Sequence, residues 1–174
     1  MIRHLTPQDY CEMPWANGRG VAVEMLRLDE AGALIWRLSR ARVVAAGAFS
    51  QFAGVERNLT VISGPGFDLV GDGLILTARP LAPLAFPGDV AVSAERVSAP
   101  SDDFNVMTAR HLPLPQVMVQ HQAVHLAAGG MLCLFSLGSA QVNGRIMGQH
   151  DLILTEDAAD LSPAEPVISV RLFR

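Results

Sequence analysis

Apolar residues recur along this chain in short runs, and glycine or proline cuts each run before a helical stripe can develop. Leu34-Ile35-Trp36-Arg37-Leu38-Ser39 shows the period: Leu34, Trp36 and Leu38 point one way, Arg37 and Ser39 the other. Val21–Leu28 has no helical stripe and enough branched residues for a strand, closed by Asp29-Glu30-Ala31-Gly32. Arg42–Ala45 adds a second short piece. Further strands are expected at Leu59–Ile62, Phe67–Val70, Leu74–Ala78, Val92–Val97 and Asp103–Thr108. Beyond the prolines at 113 and 115 the same reading gives Val117–Gln120, Ala123–Leu126, Met131–Leu137, Ile153–Thr155 and Val167–Phe173. Thr6 ahead of Pro7 predicts a short helical turn, and Met13–Gly20, broken by Pro14, Gly18 and Gly20, reads as an irregular loop. No helix of three turns or more is expected. The fold class is all-β, a sandwich or closed barrel.

A faint repeat refines this. In the first half an apolar run ends at Gly64, Gly73 follows, and Pro87-Gly88-Asp89 leads into another strand. In the second half Leu132–Leu137 ends at Gly138, Asn143-Gly144 follows, and Gly148-Gln149-His150-Asp151 leads into Leu152-Ile153-Leu154. Two related barrels are therefore expected, residues 1–110 and 111–174, joined near Arg110–Pro115, with strands exchanged between them allowed.

Composition narrows the function. Of 174 residues 50% are hydrophobic and 17% charged, ample for a core. The net charge of −4 argues against a nucleic-acid partner, which would want a basic stripe. Met1–Pro7 has no apolar signal core and no later run reaches membrane-spanning length, so a soluble cytoplasmic protein is expected. Cys11 and Cys133 make no disulfide framework, and Cys133 in an apolar run reads as a buried thiol. His4, His111, His121, His125 and His150 are scattered, with no His-x-His pair and following glutamate, so no metal and no cofactor is expected. A nucleophile elbow, a Walker loop and a dinucleotide fingerprint are all missing.

A polar constellation in apolar surroundings remains. Trp15 and Asn17 lie in the first glycine loop, and Trp36, Arg37 and Ser39 on a strand. Phe49, Ser50, Phe52 and Arg57 lie in or just after the second loop. Asp103, Asn105 and Met107 share one face of a late strand. Aromatic walls with an arginine and an amide suit a pocket for a small carboxylate. Equally, the aromatics can be plain core and Arg57 a surface strand residue. The residues alone leave both readings open.

The assembled motifs resemble the HutD/Ves family, associated with bacterial histidine utilisation. The matching pieces are Met13-Pro14-Trp15-Ala16-Asn17-Gly18-Arg19-Gly20, Trp36-Arg37-Leu38-Ser39, residues 47–57, Phe86-Pro87-Gly88-Asp89 and Asp103-Phe104-Asn105-Val106-Met107-Thr108. The family usually has lysine where Ala16 stands, glycine where Arg19 stands and proline where Ala53 stands. The resemblance implies a two-barrel (bicupin) fold of the RmlC-like cupin type. It also implies a binding or regulatory role, without established catalysis, toward a small carboxylate metabolite such as urocanate or a formylated glutamate. Trp15, Asn17, Trp36, Phe49, Arg57, Asn105 and Met107 would line that pocket, with Arg37 and Ser50 beside them. Arg57 would clamp the carboxylate and Asn105 offer its amide. The alternative is a metal-independent enzyme on the same pathway, with Asp103, Glu24 or a histidine as base. Exposed edge strands make a homodimer an expectation.

Overall fold

The period-two runs become antiparallel ladders in a computed structural model, which describes residues 1–15, 18 and 20–174. The chain opens with strand β1 (Arg3–Leu5) and one 3-10 turn at Pro7–Asp9. Asp9 accepts hydrogen bonds from the Thr6 backbone N–H at 2.8 Å and the Thr6 hydroxyl at 3.0 Å, tying the turn at its start. The strands β2 (Cys11–Pro14), β3 (Val21–Glu30), β4 (Ala33–Val43), β5 (Gly47–Ala48) and β6 (Val55–Ser63) come next. After them come β7 (Phe67–Gly71), β8 (Leu74–Ala78), β9 (Leu84–Pro87), β10 (Ser93–Glu95) and β11 (Ser101–Ala109). β12 (Gln116–Gln120), β13 (Val124–Leu126), β14 (Met131–Ser136) and β15 (Ala140–Val142) follow. The last four are β16 (Arg145–Met147), β17 (Leu152–Thr155), β18 (Ala159–Pro163) and β19 (Val167–Leu172).

Two units result, Cys11–His111 and Leu112–Arg174 with Met1–Tyr10. The first pairs a six-stranded sheet, β2-β3-β4-β11-β6-β9, with a four-stranded sheet, β5-β10-β7-β8. The second pairs a five-stranded sheet, β1-β17-β14-β19-β12, with a four-stranded sheet, β13-β18-β15-β16. The wiring of β4 to β11 repeats in β12 to β19. A hairpin (β7–β8, then β15–β16) leaves for the small sheet, and the next strand returns beside the one the hairpin left. The glycines of the repeat mark those departures.

In the first unit Leu59, Val61, Phe86 and Val43 from the large sheet pack with Phe67, Leu69, Ala78 and Ala94 from the small one. In the second, Leu132, Leu134, Ile153 and Val167 pack with Val142, Met147 and Leu161. Each of these large side chains contributes roughly 1.5–3 kcal/mol on burial. The turn out of β6 depends on its glycines. Gly64 has φ +80°, and a Cβ there would lie 2.2 Å from the Pro100 carbonyl oxygen.

Three expectations change. The first barrel was expected to start at residue 1, but Arg3–Leu5 pairs with Leu152–Leu154, so Met1–Tyr10 belong with the second unit. Met13 and Pro14, expected in the loop, end the strand Cys11–Pro14: it is an edge strand pairing with β3, and Pro14 is its last residue, where the missing N–H is tolerated. Arg42–Ala45 is no separate piece, since β4 runs unbroken through Val43. Of the two cysteines, Cys11 is exposed and Cys133 buried, where desolvation pushes its thiol pKa up. Among the described residues no helix is long and apolar enough to cross a membrane.

Candidate functional site

Strand register brings the polar residues of the first unit together in rows. Arg57 on β6 stands opposite Met107 on β11, Met107 opposite Arg37 on β4, and Arg37 opposite Arg27 on β3. In the next row Leu59, Asn105, Ser39 and Glu24 stand side by side, and in the next Val61, Asp103, Ala41 and Ala22. Residues two apart on a strand share a face. Leu59 and Val61 are core, so these rows face the interior between the two sheets. Arg57, Met107, Arg37, Arg27, Asn105, Ser39, Asp103, Ala41 and Ala22 of these rows line a cavity of about 210 Å³.

Arg57 is the centre of this cavity. It is only 7% exposed, and Nη2 donates to Oδ1 of Asn105 at 3.1 Å while Nη1 donates to the Ser50 carbonyl at 3.3 Å. Its guanidinium carbon lies 5.4, 5.5 and 5.0 Å from the ring centroids of Phe49, Phe52 and Phe86. Three aromatic faces hold the fork in place without neutralising it. Nε of Arg57 is buried and has no partner. Burial pushes the Arg57 pKa down to about 10, with Asp103 opposing the shift and Arg37 adding to it, so the side chain stays cationic at neutral pH.

Asn105 relays from Arg57 to Asp103. A guanidinium only donates and a carboxylate accepts, so the amide oxygen must face Arg57 and the amide nitrogen Asp103. Asn105 Nδ2 donates to Asp103 Oδ1, and Oδ2 of Asp103 is buried with no partner. Asp103 is 1% exposed. Desolvation raises its pKa to about 7, against the pull of Arg57 and of the Asn105 hydrogen bond, while Asp102 adds to the rise. Arg37 donates from Nε to Glu24 at 2.7 Å, and Arg27 pairs with Asp29 at 2.7 Å.

Of the residues expected at the site, Trp15, Arg37, Phe49, Ser50, Arg57, Asn105 and Met107 line this one cavity. Trp36 does not line it. Its neighbours Arg37 and Ser39 do, and strand alternation turns Trp36 to the opposite face of the sheet, where it is buried. Asn17 lies outside the described residues. Trp15 is seated by its backbone N–H donating to the Gly20 carbonyl at 2.7 Å, with its ring over Gly20, where a Cβ would come within 2.8 Å. The Phe86–Asp89 motif is structural around the site: Phe86 supports Arg57, and Asp89 holds Arg110 at 2.7 Å.

The lining also includes Phe52, Ser39, Asp103 and Arg27. The first three were legible in the strand and loop pattern. Arg27 was not, because the register shifts between Glu24 and Leu26. That bulge brings Glu24 and Arg27 to the same face although they stand three positions apart. Among the described residues no group of three or more His, Cys, Asp or Glu side chains converges as metal ligands would, and no histidine lines the cavity.

Known proteins can be set beside this geometry. The family model HutD matches residues 7–168. HutD from Pseudomonas fluorescens SBW25, in a structure described by its formate condition, superposes with a TM-score of 0.89 at 29% identity, covering 99% of this chain and 98% of that one. A conserved protein of unknown function from Pseudomonas aeruginosa PAO1 has a TM-score of 0.84 at 30% identity, with both chains covered completely. An uncharacterised 21.2 kDa protein of the hutC 3′ region in Pseudomonas putida is 42% identical over 116 residues, 62% of this chain and 58% of that protein. The match thus spans less than two thirds of that relative's length. A cupin 2 conserved barrel domain protein from Leptotrichia buccalis shares the fold alone, at 10% identity and a TM-score of 0.55 over 87% of this chain and 89% of that one. The expected all-β, two-barrel cupin architecture is the one observed.

Proposed function

The chain belongs to the HutD family, and from that premise we propose that it binds a small carboxylate metabolite of histidine utilisation, without turning it over. Urocanate and a formylated glutamate are the candidates. The observation that carries this reading is Arg57. A cation 7% exposed is stable only if something answers its charge. Its two hydrogen bonds go to a neutral amide and a backbone carbonyl, which leaves the rest of the fork, Nε included, unengaged. A carboxylate meets a guanidinium fork in paired hydrogen bonds. Trp15, Phe49 and Phe52 provide flat apolar walls for a planar body, and about 210 Å³ admits a small molecule rather than a polymer. Arg37 and Arg27 reinforce the positive sign, each tempered by an acidic partner. The hutC-region origin of the Pseudomonas putida relative agrees with a place in histidine utilisation.

Calorimetric titration of urocanate, N-formylglutamate and formate into the protein tests the reading, repeated with Arg57→Ala. Saturable binding that weakens at least a hundredfold in the variant is expected, in keeping with about 3 kcal/mol for a lost charge-assisted fork. Equal affinity in both proteins overturns it. The ligand should be recovered unchanged by mass analysis. A new product would instead make Asp103, the one carboxyl among the residues lining the cavity, the base of an enzyme.

A further inference from the structure

Arg37 is the least committed cation of the cavity. Its Nε donates to Glu24 Oε2 at 2.7 Å, and among the described residues neither of its terminal nitrogens has an acceptor. Neither is sealed from solvent, as Nε of Arg57 is. The other two arginines of the lining are engaged differently. Arg27 gives Nε and Nη2 to the two oxygens of Asp29, at 2.7 and 3.1 Å. Arg57 gives Nη2 to Asn105 and Nη1 to the Ser50 carbonyl. A guanidinium whose Nε is occupied keeps its end-on edge, Nη1 beside Nη2, and that edge meets both oxygens of a carboxylate in parallel hydrogen bonds. Arg37 lines the same cavity as Arg57 with that edge uncommitted.

The strand register separates the two guanidinium groups. Arg57 on β6 and Arg37 on β4 flank Met107 on β11, so their backbones stand two strand spacings apart, about 10 Å. Met107 is buried and lines the cavity between them. The charge of Arg37 reaches Arg57, whose pKa it helps to push down. Two like charges on one enclosed space disfavour each other until anionic groups answer both. Glu24 answers Arg37 only in part, because the oxygen that accepts from Arg37 Nε also lies 3.8 Å from Arg27 Nη1. Asp103, the one carboxyl of the lining, is turned to Asn105.

We propose that the cavity takes a short dicarboxylate, with one carboxylate at Arg57 and the second on the end-on edge of Arg37. This rests on the carboxylate reading above and narrows it: of its two candidates, only the formylated glutamate has two carboxylates. Arg37 is then a specificity-determining residue that tells a two-ended acid from a one-ended one. Trp15, Phe49 and Phe52 wall the hydrocarbon between the ends, and about 210 Å³ holds a chain of a few carbons.

Calorimetric titration at fixed ionic strength compares malonate, succinate, glutarate and adipate with propionate, butyrate, valerate and hexanoate. In the parent protein one diacid should bind about tenfold or more tighter than the monoacid of equal carbon number, with shorter and longer diacids weaker, because the two guanidinium groups stand at a fixed separation. Arg37→Gln keeps an N–H for Glu24 without the charge, and should bring the best diacid to within about threefold of its monoacid. Glu24→Gln removes the charge that tempers Arg37 and should widen the gap. Monoacids that bind as tightly as the diacids overturn the proposal and leave the Arg57 site standing. So does a diacid preference equal at every length, which a general positive field would give, or one that survives in Arg37→Gln or narrows in Glu24→Gln. Failure of every acid to bind removes the carboxylate site, and this inference with it. The parent's length profile decides the matter even if a variant does not fold.

Discussion

Asp103→Asn reads the site in the absence of any ligand, through the pH dependence of stability. The carboxyl has an ordinary pKa of 3.8 and rises to about 7 in the folded protein, chiefly through desolvation. A folded pKa above the unfolded one means the folded state holds the proton more tightly. The stabilisation is complete below pH 3.8 and is lost progressively as pH climbs through about 7. Each unit is about 1.4 kcal/mol. Between pH 5 and pH 7.5 the parent crosses about two of those units, so its stability should drop by roughly 3 kcal/mol from this group alone.

The variant keeps an acceptor for Asn105 Nδ2 at position 103 but does not titrate there. All other acidic and histidine side chains titrate alike in both proteins and cancel. At any one pH the comparison mixes several effects, among them the loss of a countercharge for Arg57. The change between two pH values does not. Urea unfolding of both proteins at pH 5 and pH 7.5 should show the stability difference shifting toward the variant by roughly 3 kcal/mol. A difference that stays constant, or moves toward the parent, would mean that Asp103 is ionised in the folded state across this range. The buried, partnerless Oδ2 would then have to be reached by water.

Gly64→Ala places a methyl group 2.2 Å from the Pro100 carbonyl at φ +80° and should cost more than about 2 kcal/mol in urea unfolding; parent-like stability refutes the tight turn. Gly20→Ala brings a methyl within 2.9 Å of three Trp15 ring atoms, so it should shift tryptophan fluorescence and weaken formate binding severalfold, while stability falls by less than about 1 kcal/mol. Trp36→Phe removes one of two tryptophans from the opposite sheet face and should leave formate affinity unchanged within about twofold; a larger loss would put Trp36 in the site after all.

Strands whose alternation is clean were legible in the sequence. Leu34–Ser39 and Asp103–Thr108 put Arg37, Ser39, Asp103, Asn105 and Met107 on one side, and the cavity uses that side. The same alternation already separated Trp36 from Arg37, and grouping both in one pocket set motif membership against strand geometry. Geometry prevailed. What stayed hidden depends on pairing partners. Short edge strands such as Leu84–Pro87 and Arg145–Met147 carry too little pattern to announce themselves. The bulge at Glu24–Leu26 exists only relative to β4, so no periodicity in β3 alone could assign Arg27 to the cavity. The unpartnered Oδ2 of Asp103 is likewise a fact of three strands meeting.

The duplicated wiring sets the candidate site of the first barrel beside the equivalent strands of the second. β6, β11 and β4 correspond to β14, β19 and β12; the first set carries the row Arg57–Met107–Arg37 and the second the row Leu132–Arg171–Gln116. Both rows carry arginine, but on different strands and with different obligations. Arg171 sends Nη2 to the Ala127 carbonyl at 2.7 Å and Nη1 to the Gly129 carbonyl, so its fork satisfies the loop that leads into β14, the strand beside its own. One row on stand Leu59–Asn105–Ser39 in the first and Leu134–Ser169–Met118 in the second, and where Asn105 relays to a buried carboxyl, Ser169 accepts from Gln120 Nε2 at 2.9 Å. Leu132 and Leu134 fill the space with hydrocarbon. Identical topology thus supports two outcomes, and the difference is whether the arginine of the row finds its acceptors within the chain. In the second barrel it does. In the first, three phenylalanine rings, one amide and the Ser50 carbonyl hold the guanidinium, and its Nε is left without an acceptor.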